Sequence, residues 1–273
     1  MENNMDKLRN SEKRVANYIL NNSSAVIYQS ISELAENAAT SDPTVIRFCR
    51  SLGFKGFQDL KIQLAKGVVS SKKNIHEEAG AEDSVEDVIR KVFAANISAI
   101  NNTLEILEPE AVEKAIDALV KAEKIEFYGL GGSGPEAMDA YHKFFKIGIP
   151  CAWYNDPHMQ AMSAALLTAN TVAFAISHTG SSKDIVESLT IAKEHEATTI
   201  ALVSHLKSPV AKVADITLCV HSRETKYKPE PMSSRIAHLC VIDVLSVGVS
   251  LRKSDKFLES ISKTRKALIN KKY

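Results

Sequence analysis

Five short runs rich in β-branched residues, separated by helix-like segments, constrain this chain of 273 residues more than any other feature. They are "IEFYG" from 125, "CAWY" from 151, "TVAFAIS" from 171, "TTIALVS" from 198 and "DITLCV" from 215. Strands alternating with helices make a parallel sheet, since parallel neighbours need a crossover and the crossover helices cover both faces. Longer helix-like stretches at 85–104 and 109–122 precede the first strand. In such a sheet ligands bind beyond the carboxyl ends of the strands. Two Gly/Ser-rich loops fall at those ends, after 129 and after 176.

The first 66 residues follow a different pattern, helical throughout and without strand-like alternation. "SEKRVANYIL" puts Val15 and Ile19 on one face, with Ser11 as the expected cap; "SISELAENAA" does the same with Ile31, Leu34, Ala35 and Ala38. In "TSDPTVIRFCRSLGFKGF", Ser41 is the expected cap, Asp42 and Pro43 fill the first turn, and Val45, Ile46, Cys49 and Leu52 face inward. Two short helices joined by about four residues have the layout of a helix-turn-helix. Ser41, Thr44, Arg47 and Lys55 then point away from the packed face, and Arg47 and Arg50 lie on adjacent turns. An arginine there can bond guanine bidentately or reach a phosphate. Residues 67–84 lose the periodicity and read as a linker.

Charge separates the same two regions. Residues 1–73 hold 11 Lys+Arg against 7 Asp+Glu, a net +4, whereas 74–250 hold 15 against 24, a net −9; the tail 251–273 is +6. A basic head on an acidic body is expected where only one part meets a polyanion. The four cysteines, Cys49, Cys151, Cys219 and Cys240, form no C-x-x-C pair and read as reduced thiols rather than disulfides or a zinc site. No apolar run reaches membrane-spanning length and the start has no signal-peptide core, so a cytoplasmic location without membrane contact is expected.

Gly129, Gly131 and Gly134 match the G-x-G-x-x-G spacing of dinucleotide sites, with Asp156 as the candidate ribose-binding acid. The second loop, "ISHTGSSKD", has no job in such a site. It offers Ser177, Thr179, Ser181 and Ser182, while Ser133 sits inside the first loop. A phosphomonoester, with about two charges and three open oxygens, suits hydroxyls and N–H groups gathered from two helix starts. Helix capping explains one such serine, not all of them. The first loop therefore reads as a phosphosugar loop.

"GLGGS", "ISHTGSS" and "SRIAHLCVIDVL" resemble the sugar isomerase (SIS) domain, whose signature is one serine loop followed by a second of the form S-x-S-G-x-T. "SDPTVIRFCRSLGFKGFQDLKIQLA" resembles the N-terminal helix-turn-helix of the RpiR family of bacterial regulators. The resemblance implies an all-α helix-turn-helix head over 1–73, a linker over 74–84, and over 85–273 an α/β SIS domain with a five-stranded parallel sheet and helices on both faces. It implies that Ser133 and Ser177 hold a phosphate, that Thr179 and Ser182 complete the cradle with Gly131, Gly132, His178 and Gly180, and that Arg47 and Arg50 contact DNA. Thr179 stands where serine is usual and Ser182 where threonine is usual, and both keep the hydroxyl. "ISHTG", "YKPEPMSSR" and "VIDVLSVGVSLRK" are most similar to members that sense a phosphorylated intermediate of the Entner–Doudoroff route. That implies 2-keto-3-deoxy-6-phosphogluconate as effector, its carboxylate met by the stretch carrying Lys226, Tyr227, Lys228, Ser234 and Arg235.

The expectation is a DNA-binding repressor of carbohydrate metabolism genes, a homodimer or homotetramer on double-stranded operator DNA, with no cofactor, metal or catalytic residue. Two alternatives stay open. An isomerase would need a base beside the sugar carbons, and His158, His178, His221 and His238 are candidates by type, none in a recognisable acid/base pair. An NADH-sensing repressor would keep the head and put a dinucleotide on the first loop.

Overall fold

Short amphipathic helices with local caps build the N-terminal part. The computed structural model describes residues 8–27, 29–68, 82–221 and 232–271, in two units that part between Ala95 and Asn96. In the first, α1 (Asn10–Val26) starts earlier than Ser11 as cap would have it. Its opening N–H, on Arg9, donates to Glu12 Oε2 at 2.9 Å, which leaves Ser11 inside the first turn. α2 (Ile31–Asn37) carries a full capping box: Glu33 N donates to Ser30 Oγ (3.1 Å) and Ser30 N to Glu33 Oε2 (2.6 Å). A turn with Ala39 at φ +50 leads to α3 (Asp42–Ser51), and Ser32 Oγ donates to Asp42 Oδ2 at 2.8 Å across that turn. α4 (Phe57–Val68) closes a core of Val15, Ile19, Leu34, Val45, Phe48 and Leu60. Helix thus continues past 67, where the linker was expected to begin, and residues 69–81 lie outside the described residues.

α5 (Val85–Ile106) contains the division between the units; α6 (Pro109–Lys121) follows. Then come β1 (Lys124–Gly129), α7 (Gly134–Ile147), β2 (Cys151–Tyr154), α8 (Pro157–Ala164), β3 (Thr171–Ser177), α9 (Lys183–Glu194), β4 (Thr198–Val203), α10 (Pro209–Val213), β5 (Ile216–Cys219), α11 (Met232–Arg252) and α12 (Ser254–Leu268). All five expected strands form, in one parallel sheet ordered β2-β1-β3-β4-β5.

Alternation along the strands sorts two cores. Phe127, Phe174, Ile176 and Leu202 pack under α6, α7 and α11, with the Phe127 ring 5.4 Å from that of Phe144 and 5.7 Å from that of Phe174. The opposite face carries Tyr128 beside Ala173, Ala175 and Ala201, and the alanines are small enough for α8, α9 and α10 to lie close. Glu126 is buried on that face and fully satisfied, accepting from Lys124 Nζ (2.6 Å), Tyr128 OH (2.6 Å) and Ser163 Oγ (2.7 Å), so it is structural.

α11 is long and apolar enough to cross a membrane by length and composition, against the expectation that no run is. It is a core helix here: Ala237, Val241, Ile242, Leu245 and Val249 are buried, and a side chain at Gly248 would strike Ile116 of α6. The four cysteines are free. Burial, the dominant cause, pushes the thiols of Cys49, Cys151 and Cys219 up to about 11, so they stay protonated and unreactive at neutral pH.

Candidate functional site

The strand order sets where a ligand can sit. From β1 the chain crosses to β2 on one side, while β3 lies on the other, so the crevice above the carboxyl ends of β1 and β3 is the topological switch point. Gly129 pairs with Ile176, so both Gly/Ser loops leave the sheet side by side. Each opens a helix, α7 after Ser133 and α9 after Ser182. Two positive helix ends therefore converge on one crevice.

Ser133 and Ser182 occupy the N-cap positions of α7 and α9, yet neither side chain caps its helix. Elsewhere in this chain Ser30, Asp156 and Ser208 cap with their side chains. The Ser177 hydroxyl likewise has no partner among the described residues. Thr179 Oγ1 accepts from Ser181 N at 3.3 Å within the loop, which makes it part of the turn as much as of the crevice. Gly131 (φ +55) and Gly180 (φ +61) need left-handed backbone. Gly129 is required by closeness, since a Cβ there would lie 2.9 Å from Ala137 Cβ and strike the Ser133 carbonyl. Of the fingerprint glycines, Gly129 thus lets α7 seat tightly on β1.

His178 is buried next to Ser177 and shares a 2.9 Å hydrogen bond between its Nδ1 and Ser204 Oγ. Its ring stands edge-on to that of His238, with centroids 5.8 Å apart. His238 is 0% exposed, and its Nδ1 donates at 2.9 Å to Glu136 Oε2, itself 2% exposed. The expectation that no histidine sits in an acid/base pair is therefore corrected. Glu136 lies in the first turn of α7 and looks in sequence like any acid at a helix start; its partner is 102 residues away. Ser204 and Ser208 also escaped the sequence reading.

Two expected residues do not fall where the sequence placed them. Thr44, expected on the exposed face of α3, is 4% exposed; its Oγ1 accepts from Arg47 Nη2 at 3.0 Å and lies 3.1 Å from Ser41 Oγ. Ser41 is at the N-cap position of α3 but makes no capping bond, because its hydroxyl goes to Thr44. Phe48, rather than Ile46 or Leu52, joins Val45 and Cys49 as the fully buried residue. Arg47, Arg50, Ser41 and Lys55 are exposed, Lys55 in the turn before α4, where its N–H donates to Asp59 Oδ2 at 2.9 Å. In the second unit Arg235 is exposed, and Lys226, Tyr227 and Lys228 lie outside the described residues. Asp156 caps α8 by accepting from Met159 N at 2.8 Å, so the acid a dinucleotide site would use on ribose is already engaged.

A helix-turn-helix joined to a doubly covered parallel sheet with a switch-point anion crevice is the make-up of a ligand-controlled DNA-binding regulator. Family models agree: residues 1–71 match the helix-turn-helix domain of the rpiR family and 118–248 the SIS domain. An uncharacterised HTH-type transcriptional regulator of Caldanaerobacter subterraneus is 43% identical over 96% of this chain and 93% of its own length. The HTH-type transcriptional regulator HexR of Pseudomonas aeruginosa is 35% identical over 98% of this chain and 94% of its own. Vibrio vulnificus NanR, solved with ManNAc-6P, shares the fold with a TM-score of 0.82 over 98% of this chain and 96% of that one, at 23% identity. The chain belongs to the RpiR family of transcriptional regulators and carries a SIS domain.

Proposed function

We propose that the chain is a repressor whose head reads operator DNA as a dimer and whose SIS domain takes a phosphorylated sugar or sugar acid across the two serine loops. The observation that carries this is the pair of helix starts at the switch point, whose N-cap hydroxyls, Ser133 and Ser182, are not used for capping. A phosphate dianion is the partner such hydroxyls and N–H groups fit. The likeness to HexR and to members sensing Entner–Doudoroff intermediates favours 2-keto-3-deoxy-6-phosphogluconate. A thermal-shift series tests it: at a hundredfold excess over Kd the effector stabilises by about 2.7 kcal/mol. A flat response to every phosphorylated sugar and sugar acid would remove the cradle.

DNA contact by Arg47 and Arg50 has its own outcome. Both are exposed; Arg50→Ala leaves the melting temperature unchanged, Arg47→Ala lowers it only slightly because Ser41 still bonds the Thr44 hydroxyl that Arg47 also meets, and either change weakens binding to a duplex selected from a random library by about 1–3 kcal/mol. Parental affinity in both variants would take the recognition role from α3.

A head this small reads few base pairs, so a second copy is needed to set half-site spacing. Apolar residues recur on α5 at four-residue intervals and are left in solvent, with Ile89 54%, Phe93 66% and Ile97 55% exposed, the kind of stripe that marks an interface. Phe93→Glu with Ile97→Glu should convert a dimer to a monomer in sedimentation and cut operator affinity; a variant that stays dimeric moves the interface elsewhere.

Isomerisation is favoured by one observation, the buried Glu136–His238 pair. It gives no use to the head, and incubation of sugar phosphates with stoichiometric protein, followed by NMR, is expected to show no aldose–ketose conversion.

A further inference from the structure

The buried side chains beside the cradle include two polar atoms with nothing to bond. Among the described residues His238 Nε2 has no partner although the residue is 0% exposed, and Ser234 Oγ, one turn earlier on α11, has none at 1% exposure. Buried polar groups left unpaired are uncommon and costly, and each calls for an explanation. Their position supplies one. The His238 ring is bracketed by Glu136, one turn beyond Ser133, and by His178, the neighbour of Ser177.

We propose that His238 and Ser234 form the sugar-facing half of the effector site, a subsite for a hydroxyl on the carbons next to the phosphate ester, with Glu136 positioning His238. This rests on the phosphate cradle proposed above and adds the ligand class. With Nδ1 held by the Glu136 carboxylate, Nε2 is the ring atom left for the ligand. Ser234 Oγ can donate or accept. A hydroxyl satisfies both, since it can donate or accept at each. A carboxylate or second phosphate at this point would stand close to the Glu136 carboxylate. The effector is therefore a hydroxylated phosphomonoester, and an acid group, where it has one, lies away from α11. Glu136 is argued to act only through His238.

Calorimetry on the full-length protein separates this from a structural role, with three probes: 6-phosphogluconate, glucose 6-phosphate and inorganic phosphate. Ser234→Ala deletes a hydroxyl that has no partner among the described residues, so a structural role predicts an equal or higher melting temperature and unchanged binding. The subsite predicts the same melting temperature but about tenfold weaker binding of the better sugar phosphate, from one lost hydrogen bond. His238→Gln keeps a donor for Glu136 and should weaken the same probe while leaving inorganic phosphate within about twofold, since the cradle is untouched. Parental affinity for both sugar phosphates in both variants overturns the subsite alone. An equal loss for inorganic phosphate also overturns it, because the residues would then belong to the cradle. If the parent binds neither these three probes nor 2-keto-3-deoxy-6-phosphogluconate, cradle and subsite fall together.

Discussion

Replacing Ser133 and Ser177 together by alanine is expected to leave the protein folded and bound to DNA, and blind to its effector. Neither hydroxyl caps a helix or bonds another described residue, so their removal strands no partner and the melting temperature should stay within the range of surface substitutions. The loss appears only with ligand present. A hydrogen bond to a charged group contributes about 1.5–3 kcal/mol, so each change alone should weaken binding by about 10- to 150-fold. The double change should reach about 10²- to 10⁴-fold, short of the product of the singles if the phosphate shifts to lean on Ser182 and the backbone N–H groups. Operator affinity without effector is unchanged, and release by effector disappears at any attainable concentration. Calorimetry and a gel-shift titration read the two halves of this result. An unaltered effector affinity in the double variant would mean that the phosphate, if bound, sits elsewhere.

The β/α body was legible because its signals are local. β-branched runs, Pro at the first turn of α6, α7, α8 and α10, and glycines at two strand ends each announce themselves within a few residues. The five strands follow from them, and so does the switch point once the order is known. The inner wall of the site was not legible, because it is made by distant pairs: Glu136 with His238, His178 with Ser204, Gly180 with Ser208. Nothing near Glu136 separates it from the ordinary acid of a helix start. The face of α3 was misjudged for a related reason. Thr44 is polar, which predicts exposure, but Ser41 and Arg47 satisfy its hydroxyl and let it sink. Whether a serine at a helix start caps or waits for a ligand is likewise a matter of where its hydroxyl points. Ser30 and Ser133 occupy the same position of their helices, but the backbone is extended at Ser30 (φ −71, ψ 164) and helical at Ser133 (φ −82, ψ −9), and only the first hydroxyl accepts from its own helix.

The second loop should be as intolerant as the serine pair, through stability rather than affinity. Gly180 combines two constraints that Gly131 separates. Both have positive φ, +61 and +55, and a side chain in that region costs about 1–2 kcal/mol. Around Gly131 nothing lies within 4 Å of an added Cβ, so Gly131→Ala should show that backbone cost alone. At Gly180 the added Cβ would come 2.5 Å from Ser208 Cβ and strike Ser208 Oγ. Ser208 cannot give way freely: it is 0% exposed, and its Oγ accepts from Ala211 N at 3.3 Å to cap α10. Gly180 O also accepts from Val210 N at 2.9 Å, so the loop and α10 are bonded at the point of the clash. Overpacking of this kind costs about 1–3 kcal/mol, which brings Gly180→Ala to about 2–5 kcal/mol, a large part of the 5–15 or so that holds a domain together. For a domain of this size each kcal/mol is worth about 2–4 °C, so thermal unfolding should fall by about 5–20 °C, against a few degrees for Gly131→Ala. The surviving folded fraction should bind effector weakly, since moving the loop moves Ser177 and Ser182 with it. Equal melting temperatures for the two variants would mean that Ser208 swings aside at little cost, and that the close seating of the loop on α10 does not hold the cradle in shape.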